Sequence, residues 1–484
     1  MKQKSLGLNA VLNGIKQCCS IIFPLITFPY ISRVLGNDGY GKYSFSYSVT
    51  NYFILLAALG IYTYAIREGA KVRDDQKEVD KFCSQVFSIN VCSAVISLLL
   101  LSLIVFCLPK FSGYKAYIFV QSTAIIMAVI GTDWVNGIFE DYFYITVRYI
   151  AVQCMCLIAM FVFVRKPEDI IPYCIISVLA TNGGNLINVF YVRKYAKIRF
   201  MFDMDLKRHL VPLLILFVNS IAISIYVNSD ITMLGFFESD AQVGVYSFAS
   251  KIYNLLKQLI NAVIVVSVPR IAYIIKNKPL EYKRFLNRIF SALNIVLLPI
   301  VVGMFFMSDS MILIAGGVQY ITGDAALKVL SVATLFAIYA SLFTNCVLIV
   351  NRQEKLCLKA TVVSAIVNVG LNFVLMPTLG MIGAAVTTVI AELVNCMMQM
   401  HFSKAFFDWR TLELKPVVSC ICGSAFIGIT CLLCNGFFHS SLMKMAYAVV
   451  FSALVYVITL IVMRNPYTTA AMDVIKKRMR KSNG

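Results

Sequence analysis

The chain has 484 residues, 60% hydrophobic and 14% charged, with a mean hydropathy of +0.80. That balance excludes a soluble globular domain and makes lipid the solvent for most of the surface. Lys and Arg number 43 against 24 Asp and Glu, a net charge of +19, but no basic patch lies on a soluble module, so nucleic-acid binding is excluded and the cations read as loops of a membrane protein.

An apolar run of about 20 residues crosses a bilayer at about 1.5 Å per residue. Fourteen runs are read, at 14–34, 43–65, 84–108, 116–138, 145–164, 170–192, 211–236, 243–268, 287–307, 327–350, 358–377, 381–402, 417–435 and 443–463. Polar residues Asn9, Asn13, Lys16 and Gln17 lead into the first, no small-residue cleavage site follows it, and it is expected to be retained. With a cytoplasmic N-terminus, the even-numbered connections are cytoplasmic. They carry Arg67, Lys71, Arg73, Lys77 and Lys81, then Arg193, Lys194, Lys197, Arg199, Lys207 and Arg208, then further basic groups around 270–288, 352–359 and 404–415. The other side has only Lys110, Lys115, Arg165, Lys166 and Lys444. This asymmetry is the positive-inside pattern and places both termini in the cytoplasm. The basic tail, 465–484, reads as a topology anchor beside anionic lipid.

The joint between the first two runs, Leu35 to Phe45, recurs. Gly41-Lys42-Tyr43-Ser44-Phe45 with Asn51 matches Gly244-Val245-Tyr246-Ser247-Phe248 with Asn254, and Leu35-Gly36 matches Leu234-Gly235. Span 2 therefore corresponds to span 8. An even number of spans separates them, so the repeats are parallel. The expected fold is an all-α polytopic membrane protein: an N-terminal lobe at 1–209, a C-terminal lobe at 210–416, two further spans at 417–464 and the tail at 465–484.

Several spans carry polar stripes at helical spacing. Span 8 is clearest, with Ser247, Lys251, Asn254, Gln258 and Asn261 on one face and Lys257 beside it. Spans 1, 2, 7, 11 and 12 show shorter ones, including Asn51, Asp230 and Glu392. Hydrogen bonds between helices account for many of the neutral groups. An intramembrane Lys is costly as mere glue. A water-filled cavity lined by spans 1, 2, 7 and 8 explains Lys16, Arg33, Lys42, Lys251 and Lys257, and its guest would be an anion such as phosphate. Arg33 and Lys42 can alternatively snorkel to the outer interface. After span 4, Asp133, Glu140 and Asp141 precede the lone Arg148. They suggest an ion pair that either locks this connection or opens and closes as a gate. The cysteine run Cys420, Cys422, Cys431, Cys434 lies in apolar sequence and reads as structural, with no metal or other cofactor implied. No phosphate-binding loop, serine elbow or soluble catalytic domain is found, so a transporter is expected rather than an enzyme.

The segment Phe23-Pro24-Leu25-Ile26-Thr27-Phe28-Pro29-Tyr30-Ile31-Ser32-Arg33-Val34-Leu35-Gly36 through Gly41-Lys42-Tyr43 resembles the start of Wzx-type oligosaccharide flippases. These form the polysaccharide transporter branch of the superfamily that holds the MATE exporters and lipid II flippases. The segments Leu59–Glu68, Asp133–Arg148 and Asn372–Ala385 are similar to later parts of that family's pattern; Gln153 stands where the family often has Lys. The resemblance implies two six-helix lobes facing a central cavity, and alternating access for undecaprenyl-diphosphate-linked sugar units in the bacterial cytoplasmic membrane, for O-antigen, capsule or exopolysaccharide synthesis. Lys251 and Arg33 would then hold diphosphate, Asn254 and Gln258 sugar, and Asp230 and Glu392 a proton or cation. The implied partners are the lipid-linked oligosaccharide, membrane lipid, a polysaccharide polymerase and a chain-length regulator. A MATE-like drug/cation antiporter and a non-transporting scaffold of polysaccharide assembly are the rival readings.

Overall fold

The computed structural model describes residues 6–278, 281–407 and 413–469, without the side chains of 6–11 and 13. The Asn9 and Asn13 side chains, Arg410 and all of the tail beyond 469 therefore lie outside the described residues. Every regular element among the described residues is helical, as hydrocarbon requires of a chain whose backbone must satisfy its own hydrogen bonds. Among the described residues, twelve helices are long and apolar enough to cross a membrane.

The chain forms two compact units, residues 1–244 and 245–484. The first contains α1 (Leu6–Ala58), α2 (Ile61–Val72), α3 (Gln76–Cys107), α4 (Lys115–Gly131), α5 (Asp133–Ile138), α6 (Tyr142–Phe163), α7 (Ile170–Tyr191), α8 (Leu206–Phe237) and the first turn of α9 (Asp240–Asn277). The second contains the rest of α9, then α10 (Tyr282–Phe306), α11 (Ser308–Ala315), α12 (Asp324–Phe343), α13 (Glu354–Phe402), α14 (Leu414–Phe437) and α15 (Ser441–Val462). In the first unit α1 packs on α3, α4, α6 and α8, and α4 on α7; in the second α12 packs on α13, and α10 on α12 and α14.

Two helices far exceed one crossing. α1 has 53 residues and α13 has 49, roughly 80 and 74 Å at 1.5 Å per residue, against a hydrocarbon core of about 30 Å. Each is interrupted at one glycine, Gly36 (φ 70, ψ 177) and Gly380 (φ 54, ψ −132). These interruptions fall in the expected connections between spans 1 and 2 and between spans 11 and 12. The sequence suggests a loop through Lys42; instead the helix resumes directly after Gly36. Asn37 and Asp38 occupy the first turn of the new segment, where N–H groups lack helical acceptors. The Asp38 N–H donates to Asn37 Oδ1 at 2.9 Å.

The repeat is visible in the packing. A Cβ on Gly41 would collide with the Asp240 carbonyl, and one on Gly244 with the Asn37 carbonyl. The two matched glycines thus let two helix starts meet backbone to backbone. Each motif phenylalanine also stacks on an aromatic ring of a 3₁₀ turn in its own unit: Phe45 on Phe111, centroids 5.9 Å apart, and Phe248 on Tyr320 at 4.3 Å. Those turns, Pro109–Tyr114 and Val318–Gly323, lead into α4 and α12.

α14 and α15 have a definite task in the second unit. Pro299 inside α10 has no N–H, so the Ile295 carbonyl loses its helical donor. The Tyr456 hydroxyl of α15 donates to that carbonyl at 3.1 Å. The Tyr456 ring lies against Gly423 of α14, where a Cβ would come within 2.6 Å of it. Cys420, Cys431 and Cys434 pack nearby in one apolar cluster with Ile427 and Leu460. Tyr456→Phe should lower stability by about 1–3 kcal/mol, the cost of a buried carbonyl left without a donor. Adding Pro299→Ala should restore most of it by returning the helical N–H. Thermal unfolding of the purified variants checks both; equal effects of Tyr456→Phe with and without Pro299 would refute the pairing.

Candidate functional site

The first unit holds a polar cluster where α4 turns back into α6. Gly131 ends α4 against Asn185 of α7, with no room for a Cβ. Thr132 (φ 43) and Glu140 (φ 54) take left-handed conformations on either side of α5. α7 catches this bent segment. Asn188 donates to the Gly131 carbonyl at 2.6 Å and accepts from Asn136 at 2.6 Å. Tyr191 and Tyr195 each donate to Asp141 Oδ2 at 2.6 Å. Burial and the Asp141 carboxylate push the Tyr195 hydroxyl far above its ordinary range, so it remains a donor at physiological pH.

Arg148 reaches back from α6 to Asp133 at 2.5 Å, with only 6% of its side chain exposed, and its guanidinium lies 5.1 Å from the Tyr144 ring centre. The Asn185 amide, in the orientation its neighbours require, donates to both Asp133 oxygens at 3.1 Å. Glu140 takes a different partner, Arg73 of the α2–α3 connection, at 3.0 Å. That pair is more exposed and contributes about 0–1 kcal/mol. Lys16 feels the charges of both Asp133 and Arg148 and sits 5.6 Å from the Tyr149 ring centre.

The remaining candidates of this unit are dispersed. Asn51 donates to Ser224 of α8 at 3.0 Å. Lys42 pairs with Asp38 one turn earlier at 2.7 Å. Arg33 is exposed on α1, and Asp230 is buried on α8.

In the second unit the polar face of α9 divides. Lys257 turns to α13, where it meets Glu392 at 3.3 Å and lies 4.7 Å from the Tyr253 ring centre. The Tyr253 hydroxyl donates to the same carboxylate at 2.9 Å. Glu392 is 3% exposed, so this acid is already neutralised. Lys251 is half-buried, and among the described residues it forms no ion pair. Asn254 donates to the Ser250 carbonyl of its own helix at 2.9 Å, and Gln258 is exposed. The structure thus joins Asp133 to Arg148 and Lys257 to Glu392, and leaves Lys251 as a cation with no internal counter-ion among the described residues.

Sequence reading passed over Asn185, Asn188, Tyr191 and Tyr195 around α7, and Tyr253; it named Asp141 and Arg73 but not their partners. The α7 set was detectable, because its members recur every three or four residues on one helical face.

A family model described as polysaccharide biosynthesis protein matches residues 6–275, more than half of the chain. The chain belongs to this family. Among its relatives, an Escherichia coli (strain K12) protein bearing the name of an O-antigen transporter is 23% identical over 405 residues, covering 82% of this chain and 96% of that protein. A Haloferax volcanii protein whose name describes a low-salt glycan biosynthesis flippase is 23% identical over 244 residues, 49% of this chain and 51% of that protein. Among solved structures, the lipid II flippase MurJ in an inward closed conformation gives a TM-score of 0.66 at 19% identity, covering 92% of this chain and all of MurJ. An inward-facing multidrug resistance transporter of the MATE family gives 0.60 at 15% identity, covering 79% and 93%. The chain therefore has the MurJ/MATE-like fold and is a multi-pass membrane protein.

The two ion pairs of Lys257 and Lys42 differ in burial, and so should their removal. Lys257→Met leaves the Glu392 carboxylate buried without a cation. It should cost about 3 kcal/mol, the low end for a broken buried pair, since Lys257 itself is a quarter exposed. Lys42→Met should cost less than about 1 kcal/mol. Adding Glu392→Gln to Lys257→Met should recover part of the loss. Thermal midpoints of the three variants decide; equal losses for both lysines would contradict the assignment.

Proposed function

We propose that this protein is a flippase that moves undecaprenyl-diphosphate-linked oligosaccharide units from the inner to the outer leaflet of the bacterial cytoplasmic membrane by alternating access, not an enzyme. Its family, the names borne by its relatives and its fold all support a lipid-linked glycan as cargo. Fourteen crossings follow if α1 and α13 each count as two, with both termini cytoplasmic. The product would pass to O-antigen, capsule or exopolysaccharide synthesis, where a polymerase and a chain-length regulator are the expected partners.

The observation that carries this reading is Lys251. It lies on the polar face of a membrane helix with no carboxylate in ion-pair contact among the described residues. An intramembrane cation with no internal partner is expensive, and a phosphate from outside the chain offsets that cost through charge-assisted hydrogen bonds. Within the first unit, Arg33, Lys16 and Lys42 are further candidate phosphate contacts. Asn254 and Gln258, on the same face, contact sugar. Asp133, Arg148 and Glu140 form the gate, and Glu392 and Asp230 are the sites for a coupling proton or cation.

Purified protein in vesicles, supplied with fluorescent lipid-diphosphate oligosaccharide on one leaflet, tests this. Lys251→Ala should slow translocation by about tenfold or more, the loss of one charge-assisted contact. Lys251→Arg should retain much of the rate. Unchanged translocation in Lys251→Ala, or its absence in the parent protein, would overturn the reading.

A further inference from the structure

Between α7 and α8 the chain is extended, and it is pinned along α3 in register. The N–H groups of Lys197, Arg199 and Met201 donate to Asp80 Oδ1, Ser84 Oγ and Ser88 Oγ at 2.9, 3.1 and 2.8 Å. Gln76 donates to the Tyr195 carbonyl at 2.9 Å and Gln85 to the Asp203 carbonyl at 3.2 Å. The match is geometric. Every second residue of an extended chain advances about 6.6 Å, and every fourth residue of a helix about 6.0 Å. A helical stripe of short polar side chains therefore does for this strap what a neighbouring strand does in a sheet.

The ladder settles which groups face away. Tyr195 and Ala196 are buried, and Ile198 and Met204 pack on the cluster of Phe82 and Trp134. Phe202 is left 90% exposed and Phe200 46%, their rings edge to face at 5.3 Å. Arg193, Lys197, Arg199, Lys207 and Arg208 are exposed around them. Lys194 lies over the rings of Tyr191 and Tyr195 at 4.6 and 4.8 Å. Only Asp203 and Asp205 oppose these cations within 193–208. Exposed aromatic rings alternating with cations, on a short segment joining two membrane helices, match the chemistry of a bilayer interface with anionic headgroups.

We propose that the strap 193–208 is a binding surface for the anionic phospholipid headgroups of the adjacent leaflet. Phe200 and Phe202 enter the interfacial layer, and Arg193, Lys197, Arg199, Lys207 and Arg208 hold the phosphates. The α3 ladder presents them preformed, so little ordering entropy is lost on binding.

Phe202→Trp tests this in the full chain, because Phe202 makes almost no contact within the fold. In nanodiscs containing phosphatidylglycerol with brominated acyl chains, its added emission over the parent protein should be blue-shifted and quenched. In pure phosphatidylcholine nanodiscs with the same brominated chains, quenching should fall by about half or more, as electrostatic attraction to the surface is lost. Combining Phe202→Trp with Lys197→Gln, Arg199→Gln and Lys207→Gln should give the same loss in phosphatidylglycerol. None of those side chains belongs to the ladder. A water-like, unquenched emission in both lipids would overturn the proposal. So would quenching of equal strength in both, which would show aromatic insertion without headgroup recognition. The readout needs no transport, so its failure is separate from failure of the flippase reading.

Discussion

A membrane-spanning chain cannot leave a backbone carbonyl or N–H unpaired in hydrocarbon, where each costs several kcal/mol. Most of this protein's buried polar side chains make sense as answers to that constraint. At several helix ends and irregular turns another helix supplies a donor. The Ala57 carbonyl at the end of α1 accepts from Asn90 at 2.8 Å and Ser93 at 2.7 Å, and the Phe53 carbonyl from Ser97 at 2.6 Å. The Gly131 carbonyl is met by Asn188, and the Phe306 carbonyl at the end of α10 by Asn435 of α14 at 3.1 Å. The Cys346 carbonyl, in a wide helical turn after α12, accepts from Tyr282 at 3.2 Å.

This constraint explains what could and could not be read from the sequence. The apolar runs, the parallel repeat and the family resemblance were legible, because each leaves a pattern of residue types. Gly36 and Gly380 marked real interruptions. The function of a polar stripe was not legible. Periodicity tells which face of a helix is polar, but a backbone carbonyl on a neighbouring helix leaves no trace in sequence. Ser84 and Ser88 on α3 look like neutral filler until the strap is seen against them. Asn188 gives no sign in sequence of the Gly131 carbonyl it meets. Asn51, expected at a cargo site, bonds Ser224 of α8.

The charged residues sort by the same logic. A buried charge persists where a counter-charge and hydrogen bonds replace its water. Arg148 has Asp133, itself held by Asn185; Glu392 has Lys257 and Tyr253. The sequence grouped Lys251 and Lys257 as cations of one helix, but six residues place them in different angular positions, and α13 offers an acid only to the second. The flanking position expected for Lys257 is thus the neutralised one, and Lys251 on the stripe itself is the open one.

The two repeats handle their breaks differently, and this gives the last two helices their role. In the first unit the vulnerable carbonyl at Gly131 lies within reach of α7, a helix of that unit's own set. In the second unit Pro299 opens α10 at Ile295, and the donor comes from Tyr456 on α15, seated against Gly423 of α14. A proline within a crossing helix frees a carbonyl, and a side-chain donor on a neighbouring helix is one way to satisfy it. The helices beyond the repeat are thus part of the second unit's hydrogen-bonding economy, which is the physical reason a kinked α10 is tolerated there.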